Sequence, residues 1–563
     1  MYKTMSWAVF LFYPLILCCS LLTAPAVLGS EADVRKSLSE LLNDDSAVRK
    51  AAIDALAKSG ETRLIKFFSE VADGNVKEWR KQLYVYKPKD SFSLLDPLAM
   101  TAVPEVSVVT PEMAKEFKDF SPTRVEKMRM NDAAKIVGIY SRDYDTRLVA
   151  IKNCGTYALE KSLPILTDML KTEPDKNVQT AIEGSMAMIQ LANVDTKNWT
   201  SEQLAAVAKL GEIKLLSASS RLKELKKLND DTAKNPDAAA KLATSIAQIQ
   251  SWQSSVNGVS YAFSGLSQGS ILVLMALGLS IIFGMMGVIN MAHGELMMIG
   301  AYATFMTQKL FELIFRPDVG QIVSPTALNT YFIVAIPFSF IAAASVGYLI
   351  ERLVVRHLYG RPLDSMLATW GISLVLIQII RLIFGNNIGV NSPSWMQGGF
   401  TVLRDVTFAY NRCIIIGFCI ACILLMFYII NKTKLGLLLR ATVQNRNMAA
   451  SLGVHTRRVD GFTFALGSGL AGLAGCALTQ VGGVSPDMGS NYIVDSFLVV
   501  VTGGVGKLAG AIWAGMGLGM MNKCLEPYFL AVWGKVLVLM AVVFFLQKRP
   551  SGLFPAKGRN ADV

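Results

Sequence analysis

Apolar and polar residues divide this chain into two parts with different patterns. From Glu31 to about Ile249, charged residues interrupt the apolar ones at helical spacing, whereas apolar blocks dominate from about Gly258 to Leu546. A helix that crosses a bilayer needs about 20 largely apolar residues, and several of these blocks reach that length. The pattern therefore predicts a soluble domain over residues 31–250 and a membrane domain over residues 258–548.

The membrane domain is predicted to contain eight or nine segments that span the bilayer or re-enter it. Two of them, residues 492–506 and 508–523, are short and interrupted by glycine, so either can be re-entrant instead of spanning. The predicted fold class is all-α, a polytopic helical bundle preceded by a helical domain. The segments lie near residues 261–285, 290–311, 331–352, 363–384, 412–431, 459–480, 492–506, 508–523 and 528–547.

Small residues recur every fourth position on two predicted spans. This spacing places them on one helix face, where it allows backbones to approach closely. It predicts a tightly packed bundle. The two sets are Gly467, Ala471 and Gly475, and Ala511, Gly515 and Gly519.

The soluble domain contains a pattern that recurs. "LLNDDSAVRKAAIDALAKSGETRLIKFFSEV" and "YSRDYDTRLVAIKNCGTYALEKSLPILTDML" each begin with an Asp-rich turn and continue through two helices, and "EPDKNVQTAIEGSMAMIQL" repeats the opening. Asp side chains cap helix starts. The pattern resembles HEAT-type helical hairpins, which bury their faces by stacking. The segment "YVYKPKDSFSLLDPLAMTAVPEVSVVTP" interrupts the pattern and is predicted to be an extended insert. The domain contains no His, so we predict a partner surface or spacer.

Residues 1–30 are typical of a secretory signal peptide, with an early cation, an apolar stretch and then small residues. An uncleaved anchor helix is the alternative. Both interpretations place residues 31–250 outside the cytoplasm.

Charge is sparse but locally concentrated. Charged residues make up 17% of the chain, against about 25% in soluble proteins. The net charge of +12 comes largely from clusters beside the spans, which indicates membrane topology and contact with lipid, not a nucleic-acid partner. If the first span enters from outside, the main clusters are cytoplasmic. They are Arg352, Arg356 and Arg361, the segment 432–460, and the tail from Lys548 through 549–563.

The segment 432–460 is too long for a simple connection between spans. It carries Arg440, Arg446, Arg457 and Arg458, and its part "RATVQNRNMAASL" predicts a short surface helix that ends at Gly453. Such a helix suits docking into a groove of a partner protein. It equally suits resting on anionic lipid headgroups. The residues alone do not choose between these two hypotheses.

Several stretches resemble a known family of transporters. "NRNMAASLGV" is similar to the A-A-x-x-G coupling loop of ABC importer permeases, and "GVINMAHGELMMIGAYATF" resembles a signature of the branched-chain amino acid importer permeases. More specifically, "RHLYGRPLDSMLATWGISLVLIQIIRLIFG", "NKTKLGLLLRATVQNRNMAASLGV", "DSFLVVVTGGVGKLAGA" and "QKRPSGLF" resemble the urea permeases of that family. These matches span roughly residues 258–555.

The resemblance implies partners and a location. It implies a multi-pass protein of the bacterial inner membrane that works with two ATP-binding subunits, a second related permease and an extracytoplasmic solute-binding protein. ATP is then hydrolysed by partners, and this chain binds no cofactor. The closest stretch to a phosphate loop, "TGGVGKLAG", has Val501 and Leu508 where Gly and Ser or Thr are required. The coupling residues implied are Arg440, Asn445, Ala449, Ala450, Leu452 and Gly453.

Polar residues within the predicted spans are candidates for a substrate pathway, because such groups are costly in hydrocarbon. Glycines beside the first group loosen the helix, as in the discontinuous helices of transporters. A helix cap or ordinary interhelical hydrogen bonds are the alternatives. None is predicted to be catalytic or to bind a metal. The candidates are Asn290, His293 and Glu295, then Thr369, Trp370 and Ser373, and finally Asp495 and Ser496.

Three functions remain compatible with the sequence. The first is a urea permease of an ABC importer, and the second is a permease for branched-chain amino acids or short amides. The third, from another class, is a passive urea channel with an extracytoplasmic scaffold. A membrane enzyme is disfavoured because no catalytic constellation is visible.

Overall fold

The computed structural model divides into two compact units, Met1–Gln253 and Ser254–Val563. The predicted signal peptide or anchor, residues 1–30, lies outside the described residues, as does most of the predicted tail 549–563. The structure describes residues 31–86, 94–101, 103, 113–195, 198–233, 235–315 and 325–554.

Short helices make up most of the first unit. Three of them begin at the aspartates predicted to cap them: Asp45, Asp143 and Asp175 each accept a hydrogen bond from a backbone N–H of the first turn. The helices are α1 (Glu31–Glu40), α2 (Ser46–Lys58), α3 (Leu64–Ala72), α4 (Arg124–Val137), α5 (Tyr144–Thr156), α6 (Leu163–Thr172), α7 (Lys176–Gln190), α8 (Ser201–Ile213) and α9 (Ser219–Leu228).

The chain is mainly helical, as the predicted all-α class requires, and a small antiparallel sheet accompanies the helices of the first unit. Its strands are β1 (Val76–Trp79), β2 (Gln82–Tyr86), β3 (Leu94–Leu95) and β4 (Lys118–Asp119), in the order β3-β2-β1-β4. Arg80 and Lys81 both have positive φ, 50° and 60°, as in a tight hairpin turn. The extended insert predicted at residues 84–111 overlaps β2 and β3, and much of the rest lies outside the described residues.

A buried ion pair joins α2 to α4. Glu126 is almost fully buried, and Arg49 Nε donates to its Oε1 at 2.7 Å. Thr123 donates to the same carboxylate from its backbone N–H and its hydroxyl, each at 2.8 Å. Burial alone raises the pKa of Glu126, but these hydrogen bonds and the Arg49 charge outweigh it and hold the pKa below its ordinary value.

Long helices make up the second unit, with a hairpin of β5 (Gly399–Leu403) and β6 (Val406–Ala409). Stretches within α10, α12, α13, α14 and α17 are long and apolar enough to cross a membrane. The helices are α10 (Pro236–Met286), which begins in the first unit, α11 (His293–Ile314), α12 (Pro325–Leu353), α13 (Pro362–Phe384), α14 (Tyr410–Lys432), α15 (Lys434–Gln444), α16 (Arg446–Ser451), α17 (Thr456–Leu478), α18 (Met488–Gly503) and α19 (Leu508–Lys548).

The segment boundaries differ from prediction at two places. The segments predicted at 508–523 and 528–547 form the single helix α19, with Pro527 inside it. Proline removes one backbone donor, a loss that membrane helices tolerate, so it did not end this helix. The segment predicted at 290–311 becomes helical only at His293, because Gly287 has a φ of +67° and the residues after it leave the helix.

Close backbone contacts place α17 directly against α10, α11 and α12. A Cβ atom on Gly467 would lie 2.7 Å from the Gly278 carbonyl oxygen of α10, and one on Gly475 would overlap the Met297 carbonyl of α11. On Gly472, a Cβ would lie 2.6 Å from the Ser339 carbonyl of α12. The predicted close approach on the Gly467 face is therefore confirmed.

We expect Gly300→Leu to disrupt the bundle, because a Cβ at Gly300 of α11 would overlap the backbone of Gly472. Overpacking of this kind costs about 1–3 kcal/mol. Gly417→Leu is the matched control, since a Cβ there meets no atom within 4 Å. The measurements are the elution profile and the thermal unfolding midpoint in detergent. Equal behaviour of both variants would contradict the close crossing.

Candidate functional site

A non-helical turn between α10 and α11 carries the first group of predicted pathway residues. The side-chain Oδ1 of Asn290 accepts from the Ala292 backbone N–H at 3.1 Å, which shapes the turn. The Met291 N–H donates to Thr369 Oγ1 of α13 at 3.0 Å. These bonds hold the start of α11 against α13, so that His293 and Glu295 enter the bundle in the first turn of α11.

Glu295 joins three helices. It is 1% exposed, and its Oε1 accepts hydrogen bonds from Ser373 Oγ of α13 at 3.0 Å and from Ser490 Oγ of α18 at 3.2 Å. A Cβ on Gly489 would lie 2.5 Å from Glu295 Oε2, so only glycine allows α18 to come this close. The carboxylate therefore depends on hydroxyl donors from two other helices.

Three buried polar atoms of this turn and of the first turn of α11 have no hydrogen-bond partner among the described residues. They are Asn290 Nδ2, His293 Nδ1 and Glu295 Oε2. His293 Nε2 lies 3.1 Å from the Met275 carbonyl oxygen, so one ring nitrogen is engaged and the other is not. An unsatisfied buried polar group costs about 1–3 kcal/mol, which makes these atoms ready to bind a small polar molecule. Asn290, His293, Glu295, Thr369, Ser373 and Ser490 are called the polar cluster below.

The structure separates the other predicted pathway residues from the polar cluster. Trp370 is 52% exposed on the outer side of α13. Asp495 lies further along α18, where its Oδ2 is 3.5 Å from Lys535 Nζ of α19. The Ser496 hydroxyl beside it is buried and has no hydrogen-bond partner in the part of the chain that the structure describes. None of these three contacts Glu295 through a hydrogen bond in the described residues.

Sequence reasoning missed Ser490 and the ion pair between Arg381 and Asp487. Arg381 Nη2 donates to Asp487 Oδ1 at 2.8 Å and ties the end of α13 to the start of α18. Ser490 is 195 residues from Glu295, so no local pattern relates them. The only signal was the polar run "SPDMGSN" before an apolar segment.

The basic segment 432–460 forms two helices, α15 and α16, where the sequence predicted one. The break is at Asn445, whose backbone is extended with a φ of −155° and a ψ of 104°. Its side-chain Oδ1 accepts from the Met448 N–H at 3.0 Å and starts α16. Gly453, with a φ of +86°, ends the segment's helical part as predicted.

The predicted coupling residues point in different directions. Ala449 is 4% exposed and packs inward, whereas Ala450 is exposed beside it. Leu452 is 78% exposed, and Met448, which the sequence analysis did not select, is 59% exposed. Arg440 turns back and donates from Nη1 to the Ile430 carbonyl of α14 at 2.7 Å. Met448 and Leu452, four residues apart, thus form an exposed apolar face on α16 and its C-terminal cap.

The model of the family described as "Branched-chain amino acid transport system / permease component" matches residues 261–546. This chain belongs to that family. Membership makes it a membrane subunit of a transporter, and it agrees with the apolar helices in indicating a multi-pass membrane protein.

Curated relatives match about half of the chain. The high-affinity branched-chain amino acid transport permease LivH of Salmonella typhimurium is 28% identical over 299 residues, 52% of this chain and 93% of the relative. BraD of Pseudomonas aeruginosa is 27% identical over 299 residues, again 52% and 93%. LivM of Escherichia coli is 23% identical over 318 residues, 51% of this chain and 68% of the relative. No solved structure matches the chain.

We expect Glu295→Ala to reduce transport by about tenfold or more, because losing a charged hydrogen-bond partner costs about 1.5–3 kcal/mol. Uptake of labelled urea and labelled leucine by the assembled importer is the measurement. Thr307→Ala is the control, since that buried hydroxyl on α11 donates to the Ala303 carbonyl of its own helix. Wild-type uptake by a well-expressed Glu295→Ala variant would exclude the polar cluster from the pathway.

Proposed function

We propose that this chain is the membrane-spanning permease subunit of a binding-protein-dependent ABC importer for urea. ATP is hydrolysed by partner subunits, and the solute passes by alternating access through the polar cluster. The observation that carries the proposal is the Glu295 carboxylate, buried among membrane helices and bound to Ser373 and Ser490. A buried charge at this depth is costly, and such residues mark solute paths.

The chemistry of the polar cluster supports urea as the solute. In the described residues, Asn290, His293 and Glu295 form side-chain hydrogen bonds with hydroxyls and backbone groups, not with Lys or Arg. Urea is neutral and offers amide donors and one carbonyl acceptor. The unpartnered atoms of the cluster include an amide donor at Asn290 and a carboxylate acceptor at Glu295, which complement both ends of such a molecule.

A branched-chain amino acid is the second candidate. The printed names of the relatives, including LivH and BraD, state this substrate class at 27–28% identity. An amino acid carries an ammonium and a carboxylate, so it needs charged partners as well as an apolar pocket. The two candidates therefore differ in the charge that the pathway must accommodate.

We expect cells that depend on this importer to accumulate labelled urea, and excess unlabelled leucine to leave that uptake unchanged. A neutral solute needs only hydrogen-bonding groups in the cluster, whereas a zwitterion needs charged partners, so the two should not compete. The measurement is initial uptake in a strain without other urea transporters, with the Glu295→Ala variant as the inactive control. Inhibition by leucine would favour the second candidate, and uptake after ATP depletion would identify a passive channel.

The outward face of α16 is proposed as the docking site for an ATP-binding subunit on the cytoplasmic side. Met448 and Leu452 are large apolar side chains at the surface on one side of the helix. Exposed apolar groups on such a short helix fit a protein groove. Two ATP-binding subunits and a second related permease would complete the membrane assembly.

The first unit is proposed to lie outside the cytoplasm as a HEAT-like stack of helical hairpins. The aspartate caps at the starts of α2, α5 and α7 support this repeat. A stack of this kind provides an extended surface for a protein. We assign it to contact with the solute-binding protein or another extracytoplasmic partner.

We expect the double variant Met448→Asp, Leu452→Asp to lose its ATP-binding subunits during purification. Charges in the centre of an interface weaken binding by about 2 kcal/mol or more, or roughly thirtyfold. The measurement is co-purification in detergent. Leu437→Asp is the control, because that leucine of α15 is 61% exposed but lies outside the α16 face. Full retention by the double variant would favour the lipid-headgroup hypothesis.

A further inference from the structure

Two buried acids lie where the basic segment meets the helical bundle. Glu351 is in the last turn of α12 and Asp460 is in the second turn of α17, and both are 3% exposed. They are close to each other, since a Cβ on Gly461 would be 3.2 Å from Glu351 Oε2. Buried carboxylates persist only where other groups compensate them. Here the compensation comes from the basic segment and from the turn after α12.

Arg446, the first residue of α16, contacts the start of α17 directly and the end of α12 through Tyr359. Its guanidinium is paired with Asp460 through two nitrogens, with Nη1 at 3.4 Å from Oδ1 and Nη2 bonded to Oδ2. Its Cζ also lies 5.0 Å from the centre of the Tyr359 ring. Tyr359 in turn donates its hydroxyl to Glu351 Oε1 at 2.7 Å. One side chain thus links α16 directly to α17 and, through Tyr359, to α12.

The other side of the segment is anchored differently. Arg440 of α15 donates to the Ile430 carbonyl and to Asn431 Oδ1, at 2.7 and 3.2 Å, near the end of α14. A Cβ on Gly436 would overlap the Ile430 carbonyl, so α15 lies tightly against that end. Between the two anchors is the single extended residue Asn445. α15 is therefore attached to the end of α14, whereas α16 is attached to α17 and, through Tyr359, to α12.

The helices that Arg446 holds lead to the polar cluster. α17 packs on α11 where Gly475 meets Met297, and on α12 where Gly472 meets Ser339. α11 carries His293 and Glu295. A displacement of α16 is therefore passed to α17 and α12 at their ends, and from there to the helix that holds the carboxylate.

We propose that Arg446 is the positioning residue that transmits motion from α16 to α12 and α17, with Asp460 and Tyr359 as its contact points. This inference rests on the proposed docking of an ATP-binding subunit on α16. The inner side of α16 carries the link, and the exposed Met448 and Leu452 on its other side receive the partner. Docking and transmission are thus assigned to different residues of one six-residue helix.

The test is the ratio of solute transported to ATP hydrolysed by the reconstituted importer, with its ATP-binding subunits, second permease and binding protein present. We expect Arg446→Ala to retain the ATP-binding subunits and hydrolysis to within about twofold, while the ratio falls roughly tenfold. Arg458→Ala, which removes an exposed arginine of α17, should leave the ratio unchanged. The exchange of Arg446→Asp with Asp460→Arg should recover more transport per ATP than either single change.

An unchanged ratio in Arg446→Ala would overturn the inference. Loss of the ATP-binding subunits from that variant would also overturn it, because Arg446 would then belong to docking. If the Arg446→Ala permease itself fails to fold, as judged by its elution profile in detergent, Arg446→Lys decides, since lysine keeps the charge but loses the paired bonds and the ring contact. We expect an intermediate ratio, and a wild-type ratio would refute the proposal. Whether α16 is the docking site is tested separately, by co-purification of the ATP-binding subunits with the Met448→Asp, Leu452→Asp double variant.

Discussion

Hydrocarbon supplies no hydrogen bonds, so a charged side chain buried among the apolar helices of the second unit depends on partners from within the protein. This constraint explains why the helices approach so closely. Glu295 is acceptable only because Ser373 and Ser490 reach it from two other helices. They reach it because glycines such as Gly489 allow the backbones to meet. The close packing of the helices is therefore what allows polar groups to be buried between them.

Helix α17 is central to that arrangement. Its glycines contact α10, α11 and α12, and its first turns carry Asp460, which pairs with Arg446. The same helix thus touches the polar cluster's supporting helix at one end and the basic segment at the other. Tightly packed interiors transmit displacement because they deform little. Under the proposed function, a rigid element of this kind connects the ATP-binding partner to the solute pathway.

Much of this architecture was predictable because it follows local rules. Apolar length revealed the membrane unit, Asp-rich turns revealed the starts of α2, α5 and α7, and the spacing of Gly467 and Gly475 revealed a close helix contact. The cluster at Asn290 was visible because polar residues there interrupt an apolar run. The prediction of two segments on either side of Pro527 was wrong, because a proline inside a helix can be tolerated when the chain around it is apolar.

The contacts that make the site were not predictable, because they join residues distant in sequence. Ser490 contacts Glu295 across 195 positions, and the Tyr359 ring contacts Arg446 although no sequence pattern predicts this pair. The break at Asn445 was also missed, since alanines on either side favour a continuous helix. Only the backbone shows that Ala449 faces inward and Ala450 outward. Single-sequence patterns identify polar residues well but do not pair them.

The brevity of α16 has a consequence for how its partner binds. A helix of six residues is far too short to be stable in isolation, because ordering the backbone of the first turn loses more free energy than its first hydrogen bond gains. Here the Asn445 side chain starts it, the Gly453 turn ends it, and Arg446 ties it down. The docking surface proposed on α16 is therefore already folded in this chain, so association with a partner would lose little conformational entropy and leave more of its free energy for affinity.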